Sequence, residues 1–389
     1  MLIETPQALT TLCDAIRADG VCSFDTEFVF ERTYRARLGL VQLASPGGHA
    51  GAVDPLAVDD LTPVWDLLLD ESVLTVVHAG EMDWKILYDN VGRLPSKIFD
   101  SQIASSFLGM GAQPGYGKLI AHYLGTELDK SQSYTDWLRR PLSEKQISYA
   151  LNDVVPLLEL FTKLRELLIA KGRLEWAEEE FAASLDESRY RDPEPRECYQ
   201  KVKRASSLSP RQLSALREAA AWREEEALRR DLRPGFIIKD EALIAAVRQN
   251  PKNVGGLKRV RGISGEAERW GAGLVEAIQK GYAQPQDSWP RWAKGAPPDD
   301  GEDAAVGLMQ VVMQDVAAKH EVPPEVVANR ATLRALYRAS SEELEDPDNP
   351  AFRGWRGQVL GRHLHELLEG KSAIGLDPKT RRPRLYPAK

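Results

Sequence analysis

Apolar residues recur with two different periods in the first 108 residues, which predicts a mixture of strands and helices. Short apolar runs predict five strands, at residues 21–28, 37–44, 49–53, 73–77 and 98–99. Wider spacings predict four helices, at residues 5–18, 62–69, 81–90 and from the fifth strand to residue 108. The turn at residues 45–48 predicts an antiparallel hairpin. Three such strands followed by two strand–helix units predict a mixed sheet with helices on its faces.

A longer helical pattern follows from residue 143 to about residue 171. Ser143 has the character of an N-cap, and Gln146 stands at the capping-box position, where its side chain can return a hydrogen bond to the cap. Pro156 lies inside this helix and is expected to kink it, because proline has no backbone N–H to donate.

The rest of the chain is predicted to be helical, with two polar, proline-bearing linkers at residues 186–196 and 283–303. A second helical region begins with Ser209 as cap and Pro210 in the first turn. A third runs from residue 304 to about residue 369, and the tail from residue 377 is expected to be poorly ordered. These boundaries predict three domains and a flexible tail, at residues 1–190, 204–284, 300–372 and 373–389.

Composition places the chain among ordinary soluble proteins, with 389 residues, 43% hydrophobic and 28% charged. No apolar run has membrane-spanning length, and the first residues lack the basic and apolar regions of a secretion signal. The three cysteines, an odd number without CxxC spacing, are Cys13, Cys22 and Cys198. We therefore expect a cytoplasmic protein with reduced thiols, without a disulfide framework or a structural zinc.

The net charge of −7 argues against a simple nucleic-acid binder, but the charges are unevenly distributed. Between Arg196 and Arg261 there are 16 Lys and Arg residues against 8 Asp and Glu residues, an excess of +8 (16 − 8). A basic segment on an acidic chain predicts that different parts of the chain have different tasks, with nucleic-acid binding in the basic part. The alternative, which is better for any single arginine, is a solvated helix surface.

Two carboxylates stand close together at the end of the first predicted strand, in the sequence Asp25-Thr26-Glu27. Residues i and i+2 of a strand share a face, so Asp25 and Glu27 lie side by side. They repel each other unless a divalent metal, an arginine or a shared proton lies between them. The alternative interpretation is a solvated strand end.

Three further residues have the same chemical character. Asp83 lies in the first turn of the helix that follows a buried strand, and Tyr149 and Asp153 share one face of the long helix because they are four residues apart. Each has an ordinary alternative, since Asp83 could stabilise a helix dipole, Tyr149 could pack in a core and Asp153 could be solvated. Their order and context make a common site the better interpretation.

These five residues resemble the four acids and the tyrosine of the DEDD exonucleases, tyrosine subtype, and more closely the ribonuclease D family. The resemblance is carried by sequence blocks in the order of that family: FDTEF, LGLVQLA, HAGEMDW, FDSQIASSFLG, HYLGTELDKSQSYTDW and RPLSEKQISYALNDV. Residues 208–264 resemble an HRDC domain, and residues 304–369 resemble a more divergent second copy. The implied fold is a ribonuclease H-like α/β domain, with a mixed five-stranded sheet and flanking helices, followed by two all-α HRDC-type domains.

The resemblance implies a 3′–5′ exoribonuclease that releases nucleoside 5′-monophosphates and matures tRNA precursors and other small structured RNAs. It implies two divalent ions, Mg²⁺ or Mn²⁺, with Asp25 bridging both. Glu27 and Asp153 would hold the ion that binds the attacking water, and Asp83 would help to hold the other. Tyr149 would orient the attacking water. The protein is expected to be a monomer that acts on RNA and does not associate with a membrane.

Seven residues are expected to contact the substrate, namely Thr26, Phe28, His78, Trp84, Lys130, Ser131 and Tyr134. Phe28, Tyr34 and Trp84 flank the acids and could stack on terminal bases, or alternatively belong to the core. Tyr134 stands where an arginine is common in the family, which puts one phosphate contact in doubt.

Two other functions compete with the leading one. The same acids serve DNA proofreading enzymes, so a 3′–5′ DNA exonuclease is an alternative, although two HRDC-type domains favour RNA. An inactive nucleic-acid-binding adaptor is another, but a chain that had lost activity should also have lost at least one of the five residues.

Overall fold

The structure of the chain, a computed structural model, consists of two compact units. It describes residues 1–128, 135–263, 265–292, 301–340, 342–343, 349 and 353–388. The first unit comprises Met1–Glu27, Leu38–Arg189 and Ala296–Lys389. The second comprises Phe28–Arg37 and Tyr190–Gly295. Each unit therefore combines segments that are far apart in sequence.

A six-stranded mixed sheet forms the base of the first unit. Its strands are β1 (Leu2–Ile3), β2 (Val21–Val29), β3 (Arg37–Ala44), β4 (Ala50–Val53), β5 (Leu74–Val77) and β6 (Ile98–Asp100). They lie in the order β1-β4-β3-β2-β5-β6. Strand β4 is antiparallel to β3 and parallel to β1, while β5 is parallel to both β2 and β6. The predicted mixed sheet with helices is confirmed.

The predicted number of five strands is wrong, because Leu2–Ile3 adds a sixth. This strand has two residues, too few to show an alternating pattern. It is recruited by pairing with β4, where Leu2 lies opposite Ala52 and Ile3 opposite Val53. Burial of the Ile3 side chain, which is 2% exposed, supplies the apolar contact that such a short strand needs.

Among the described residues before residue 190, the helices that accompany this sheet are α1 (Pro6–Asp19), α2 (Thr62–Leu68), α3 (Glu81–Val91), α4 (Ser101–Ser106), α5 (Tyr116–Leu124), α6 (Glu144–Ala170) and α7 (Leu174–Ser184). The residues that begin and end α1 are of the types that commonly cap helices. The Thr5 side chain accepts a hydrogen bond from the Ala8 N–H, Pro6 occupies the first turn, and Gly20 ends the helix with a left-handed φ of 71°. Helices α5 and α7 were not predicted.

The long helix α6 confirms the predicted capping box, in which the Ser143 and Gln146 side chains each bond the other residue's backbone N–H. It continues through Pro156 to Ala170. Its buried residues recur every three or four positions and form one apolar face: Ala150, Val154, Leu157, Leu160, Leu164 and Leu168.

The segment before α6 is fastened to the sheet by a buried ion pair. The Arg140 guanidinium donates two hydrogen bonds of 2.6 Å to the carboxylate of Asp54, which is 2% exposed, and a third to the carbonyl oxygen of Gly39. Bidentate pairing of this kind fixes orientation as well as position. Beside it, Trp137 packs with Leu40 in a small core that Ala150 of α6 completes.

Helices make up the core of the second unit. They are α8 (Pro210–Arg229), α9 (Pro234–Ile237), α10 (Asp240–Gln249), α11 (Val254–Leu257) and α12 (Glu266–Tyr282). The predicted cap at Ser209 and the first-turn Pro210 are confirmed. The predicted linker at residues 186–196 contains the 3₁₀ turn Glu187–Arg189 and the start of a second, Pro195–Lys201.

The C-terminal residues of the first unit form α13 (Glu302–Lys319), α14 (Pro324–Val327), α15 (Arg330–Arg338), α16 (Gly354–Arg356), a π-helical turn (Gly357–Gly361) and α17 (Arg362–Leu368). Trp355 is fully buried and stacks on Trp176 of α7, with ring centroids 5.6 Å apart. Its indole N–H donates to Glu180, which also pairs with Arg356. This helical region therefore packs on α7.

The tail differs from the expectation of poor order. Two strands, β7 (Ser372–Leu376) and β8 (Pro383–Pro387), pair as an antiparallel hairpin with Ile374 opposite Leu385. The Asp377 carboxylate accepts hydrogen bonds from the Lys379 and Thr380 N–H groups and so stabilises the turn.

All three cysteines are buried and form no disulfide in the structure. None of the helices among the described residues has the length and apolar character needed to span a bilayer.

Candidate active site

Strand β2 presents Asp25 and Glu27 on one face, as its period of two requires. Ser23 pairs with Val76 of the parallel strand β5, which ends at Val77. Counting two residues onward in both strands, Asp25 lies level with His78, the first residue after β5. The two carboxylates therefore lie beside the carboxyl end of a neighbouring parallel strand.

The turn after β5 directs Asp83 towards the same region. Ala79 adopts a left-handed φ of 57°, and its N–H and that of Gly80 both donate to the Asp100 carboxylate at 3.1 Å. A Cβ at Gly80 would lie 2.8 Å from the Val77 side chain, so the close turn requires glycine. Helix α3 starts directly afterwards, with Asp83 buried in its first turn.

Asp153 is brought to β2 by a hydrogen bond between the strand and helix α6. The buried Ser23 hydroxyl lies 2.9 Å from the carbonyl oxygen of Val154 and 3.2 Å from that of Ala44, so its single proton serves one of them at a time. Because Val154 follows Asp153 directly, this bond fixes the helix turn that carries the acid.

Three of the four predicted acids form a compact group. One ligand atom each from Asp25, Glu27 and Asp153 can be chosen so that all three atoms lie within 4.8 Å of one another. Asp83 is not part of this group of three. Its carboxylate instead accepts a hydrogen bond from the Thr26 hydroxyl, and Thr26 stands between the two acids of β2.

The acids are held in an environment that disfavours their negative charge. Burial raises the pKa of Asp25 well above its usual range, and the charges of the other three acids add to the effect. Burial followed by the charges of Asp153 and Asp83 raises the pKa of Glu27 to about 8. Burial raises the pKa of Asp153 to about 7 and that of Asp83 to about 6, the latter against the hydrogen bond from Thr26.

The chemistry of the donor atoms fits a divalent cation. Among the described residues no Lys or Arg forms an ion pair with any of the four acids, so an arginine between them is excluded for that part of the chain. The compact group consists of carboxylate oxygens, without histidine or cysteine. Oxygen ligands of this kind suit Mg²⁺ and Mn²⁺ and do not favour zinc.

Tyr149 lies four residues before Asp153 on α6, as the sequence requires. Its ring is half-buried, tilted against Trp137 with centroids 6.2 Å apart, and packs on the small core around Leu40. The tyrosine therefore borders both that core and the helix face that carries Asp153.

Several predicted substrate contacts have different surroundings. Trp84 is 1% exposed and stacks on Phe24, with ring centroids 6.0 Å apart, which favours its alternative as a core residue. The Thr26 side chain is buried and directed to Asp83. The Tyr34 hydroxyl donates to Glu224 at 2.6 Å within the second unit, which makes it a structural residue there.

The remaining substrate predictions stay predictions. Phe28 is half-buried and follows Glu27 in β2. His78 is half-buried, and its Nδ1 lies 2.9 Å from the Ser101 hydroxyl. Three further predicted contacts lie outside the described residues: Lys130, Ser131 and Tyr134.

Three residues that sequence reasoning did not single out hold the acids in place. Ser23 joins β2 to α6, and Asp100 holds the turn before Asp83 while also capping helix α4. Tyr116 of α5 donates to the carbonyl oxygen of Asn152, the neighbour of Asp153. The cap at Asp100 had a sequence signal, an aspartate directly before a helix. The other two act through contacts that are distant in sequence.

Two sequence families match separate parts of the chain. Residues 1–169 match the 3′–5′ exonuclease family, and residues 212–278 match the HRDC domain family. The first match contains all four acids and Tyr149, and the second lies within the second unit.

Full-length relatives and a solved structure are similar to the whole chain. It is 37% identical to ribonuclease D of Gluconacetobacter diazotrophicus, over 97% of this chain and 95% of that one. It is 34% identical to ribonuclease D of Escherichia coli, over 95% and 98%. The crystal structure of Escherichia coli RNase D, an exoribonuclease involved in structured RNA processing, superimposes with a TM-score of 0.85, at 32% identity over 95% of this chain and 98% of that one.

Proposed function

The chain belongs to the ribonuclease D family, and from that membership we propose that it is a metal-dependent 3′–5′ exoribonuclease of the DEDD type, tyrosine subtype. The observation that carries the proposal is the group formed by Asp25, Glu27 and Asp153, with Asp83 coupled to it through Thr26. Asp83 is buried and the other three acids are partly buried. Four such acids without a basic partner among the described residues are costly to assemble, and phosphodiester hydrolysis by divalent ions is the chemistry that needs them.

Two divalent ions, Mg²⁺ or Mn²⁺, fit this set of donors. Asp25 would be shared between them, Glu27 and Asp153 would complete one site, and Asp83 would contribute to the other. Bound there, the ions supply activation of the attacking water and stabilisation of charge on the leaving oxygen. The protein's own part is to hold four carboxylates at fixed positions, and raised pKa values indicate that they repel one another before an ion binds.

Tyr149 is assigned the task of orienting the attacking water through its hydroxyl. Support comes from its place on the same face of α6 as Asp153 and from the packing of its ring against Trp137, which restricts the side chain. A hydroxyl held in this way can donate to or accept from a water next to Asp153.

The substrate is assigned as structured RNA with a 3′ extension, tRNA precursors above all. Support comes from the described activity of the similar Escherichia coli enzyme and from the basic segment of the second unit. The products would be nucleoside 5′-monophosphates. We assign the exonuclease domain to residues 1–190, the first HRDC domain to residues 204–284 and a divergent second copy to residues 300–372, in a monomeric cytoplasmic protein.

The test is removal of nucleotides from a 5′-labelled RNA that carries a 3′ extension, with and without Mg²⁺ or Mn²⁺. The wild-type chain should shorten it one nucleotide at a time only with metal. Asp25→Asn should lower turnover by several orders of magnitude while RNA binding in Ca²⁺ is nearly unchanged. Asp59→Asn, an exposed aspartate, is the control and should be fully active.

Three outcomes would contradict the proposal. Near-normal cleavage by Asp25→Asn would remove the shared-ligand role and with it the two-ion assignment. Preferential degradation of a DNA strand of the same sequence would favour a DNA exonuclease. RNA binding without cleavage by the wild-type chain at every metal concentration would favour an adaptor.

A further inference from the structure

Helix α6 contains a carbonyl group that lacks its regular helix donor. Pro156 lies in its interior and has no N–H to donate to the carbonyl oxygen four residues earlier, that of Asn152. Asn152 is the residue directly before Asp153, so the irregular position lies in the same turn as a predicted metal ligand.

Tyr116 supplies the missing donor. Its hydroxyl lies 3.1 Å from the Asn152 oxygen and donates to it from the first turn of α5. Burial, followed by the charges of Asp153 and Asp25, raises the pKa of Tyr116 above its ordinary value. The phenol therefore stays protonated and can donate a hydrogen bond.

The Tyr116 ring is itself held on its other side. It lies 5.3 Å from the His78 ring, measured between centroids. His78 Nδ1 is 2.9 Å from the Ser101 hydroxyl, which donates to the carbonyl oxygen of Val77 at the end of β5. A continuous series of contacts therefore runs from the strand end before Asp83 to the helix turn that carries Asp153.

We propose that Tyr116 is a positioning residue of the nuclease: its hydroxyl replaces the helix hydrogen bond lost at Pro156 and so fixes the orientation of Asp153. The inference rests on the proposed function, because it concerns the metal site assigned there. Tyr116 acts through the backbone of Asn152. Its removal should therefore weaken metal binding more than it lowers turnover at saturating metal.

The experiment is a calorimetric titration of the full-length chain with Mn²⁺, without RNA and well below the unfolding temperature. Tyr116→Phe should raise the Kd for Mn²⁺ on the order of tenfold, the usual effect of losing a group that orients a metal ligand. The Mg²⁺ concentration for half-maximal RNA cleavage should rise in parallel. Tyr123→Phe removes a hydroxyl from the same helix that has no hydrogen bond to any described residue, and should leave both values unchanged.

The route of the effect is tested with Pro156→Ala, which restores an N–H that can donate to Asn152. In that background Tyr116→Phe should have little further effect on the Kd for Mn²⁺, because the carbonyl then has a helix donor. An equal loss in both backgrounds would overturn the proposed route, and an unchanged Kd in Tyr116→Phe alone would overturn the inference itself. Absence of Mn²⁺ binding and RNA cleavage in the wild-type chain would instead refute the proposed function.

Discussion

Asp25 is the residue at which the electrostatic interactions of the site converge. Burial raises its pKa, and three neighbouring carboxylates oppose its charge further. Mutual repulsion of this kind destabilises the metal-free protein and is relieved when a cation binds, so part of the binding free energy is stored in the fold. This central position supports the bridging role proposed for Asp25.

Metal affinity should depend on pH through these acids. Burial and neighbouring charges raise the pKa of Glu27 from 4.5 to about 8, and burial raises that of Asp153 from 3.8 to about 7. At pH 7 the folded metal-free protein therefore binds more protons than the unfolded chain, and the contribution of these groups to stability falls as pH rises towards 8. A divalent ion requires the deprotonated forms, so Mn²⁺ should bind more tightly at pH 8 than at pH 6.

Calorimetry in two buffers of different ionisation enthalpy, at pH 7, measures the protons that Mn²⁺ displaces. We expect net release from the wild-type protein and a smaller release from Glu27→Gln, which lacks the group with the pKa of about 8. Binding without proton release, or affinity that is the same at pH 6 and pH 8, would show that the acids are already ionised in the metal-free protein.

Tyr149 offers a test of chemistry separate from metal binding. Tyr149→Phe should keep the affinity for Mn²⁺ and for RNA but lower the cleavage rate by roughly 10²–10⁴, the usual contribution of a positioned proton-transfer group. Single-turnover cleavage at saturating metal measures it, with Tyr123→Phe as the control. A rate equal to that of the wild type would leave Tyr149 as a packing partner of Trp137.

The candidate residues differ in how far the sequence could identify them. Asp25 and Glu27 were accessible because two positions in one strand fix their relation, and Tyr149 and Asp153 because four positions in one helix do. Tyr116 was not accessible in this way. The sequence shows that Pro156 leaves a carbonyl without its helix donor, but the replacement comes from a residue 36 positions from that carbonyl.

Asp100 links two elements that carry the site. Its carboxylate accepts from the N–H groups of Ala79 and Gly80 in the turn before α3, and from those of Gln102 and Ile103 at the start of α4. Loss of a helix cap alone costs up to about 2 kcal/mol. Asp100 thus stabilises the loop that presents Asp83 without being one of the four acids.

Asp100→Ala should therefore lower the free energy of unfolding by about 2 kcal/mol or more and also lower turnover, because Asp83 loses its support. Urea unfolding and RNA cleavage measure the two effects. Asp60→Ala is the matched control, since it removes an exposed carboxylate that accepts from the Thr62 N–H before α2. It should reduce stability slightly and leave turnover unchanged. Unchanged turnover in Asp100→Ala would limit its role to folding.

Short elements mark the limit of prediction from the pattern of residues. Strand β1 has two residues, and its identity depends on pairing with β4, where Leu2 lies opposite Ala52 and Ile3 opposite Val53. The β7–β8 hairpin contains prolines and arginines that indicated an irregular tail, yet Ile374 and Leu385 pair across it. Long elements with caps, such as α1 and α6, were predictable because their signals are local.

The division into two units changes how the role of the helical regions can be tested. All four acids and Tyr149 belong to the first unit, but so do the C-terminal helices. A chain that ended near residue 192 would lose Trp355, which is buried against Trp176 and Phe107, and would expose the apolar surface beneath it. A loss of activity after truncation would therefore have two explanations, and substitutions in the full-length chain are the better test.

The basic segment of the second unit contains paired and unpaired charges. Arg229 and Arg230 both pair with Glu226, which reduces their availability to phosphates. Lys203, Arg204 and Arg248, in contrast, line a cavity of about 420 Å³ beside α10 and form no ion pair with any described residue. If the second unit supplies affinity for RNA, these three residues are its best candidates for contacting phosphates.

Replacement of Lys203, Arg204 and Arg248 by glutamine should weaken binding of a catalytically inactive Asp25→Asn chain to folded precursor tRNA. The slope of log affinity against log salt should become shallower by up to about 2.7, at about 0.9 for each lost phosphate contact in a duplex. The matched control is Arg229→Gln with Arg230→Gln, which removes charges already paired with Glu226 and should change the slope little.

Binding at several salt concentrations, to the precursor tRNA and to a short single-stranded RNA, gives the measurement. Cleavage of the short RNA by the otherwise wild-type chain should be unaffected by the triple substitution, because the acids lie in the first unit. Equal slopes for the triple variant and the control would mean that the excess of +8 between Arg196 and Arg261 is a solvated helix surface. The HRDC domain would then serve a purpose other than holding phosphates, and tRNA affinity would have to arise within the first unit.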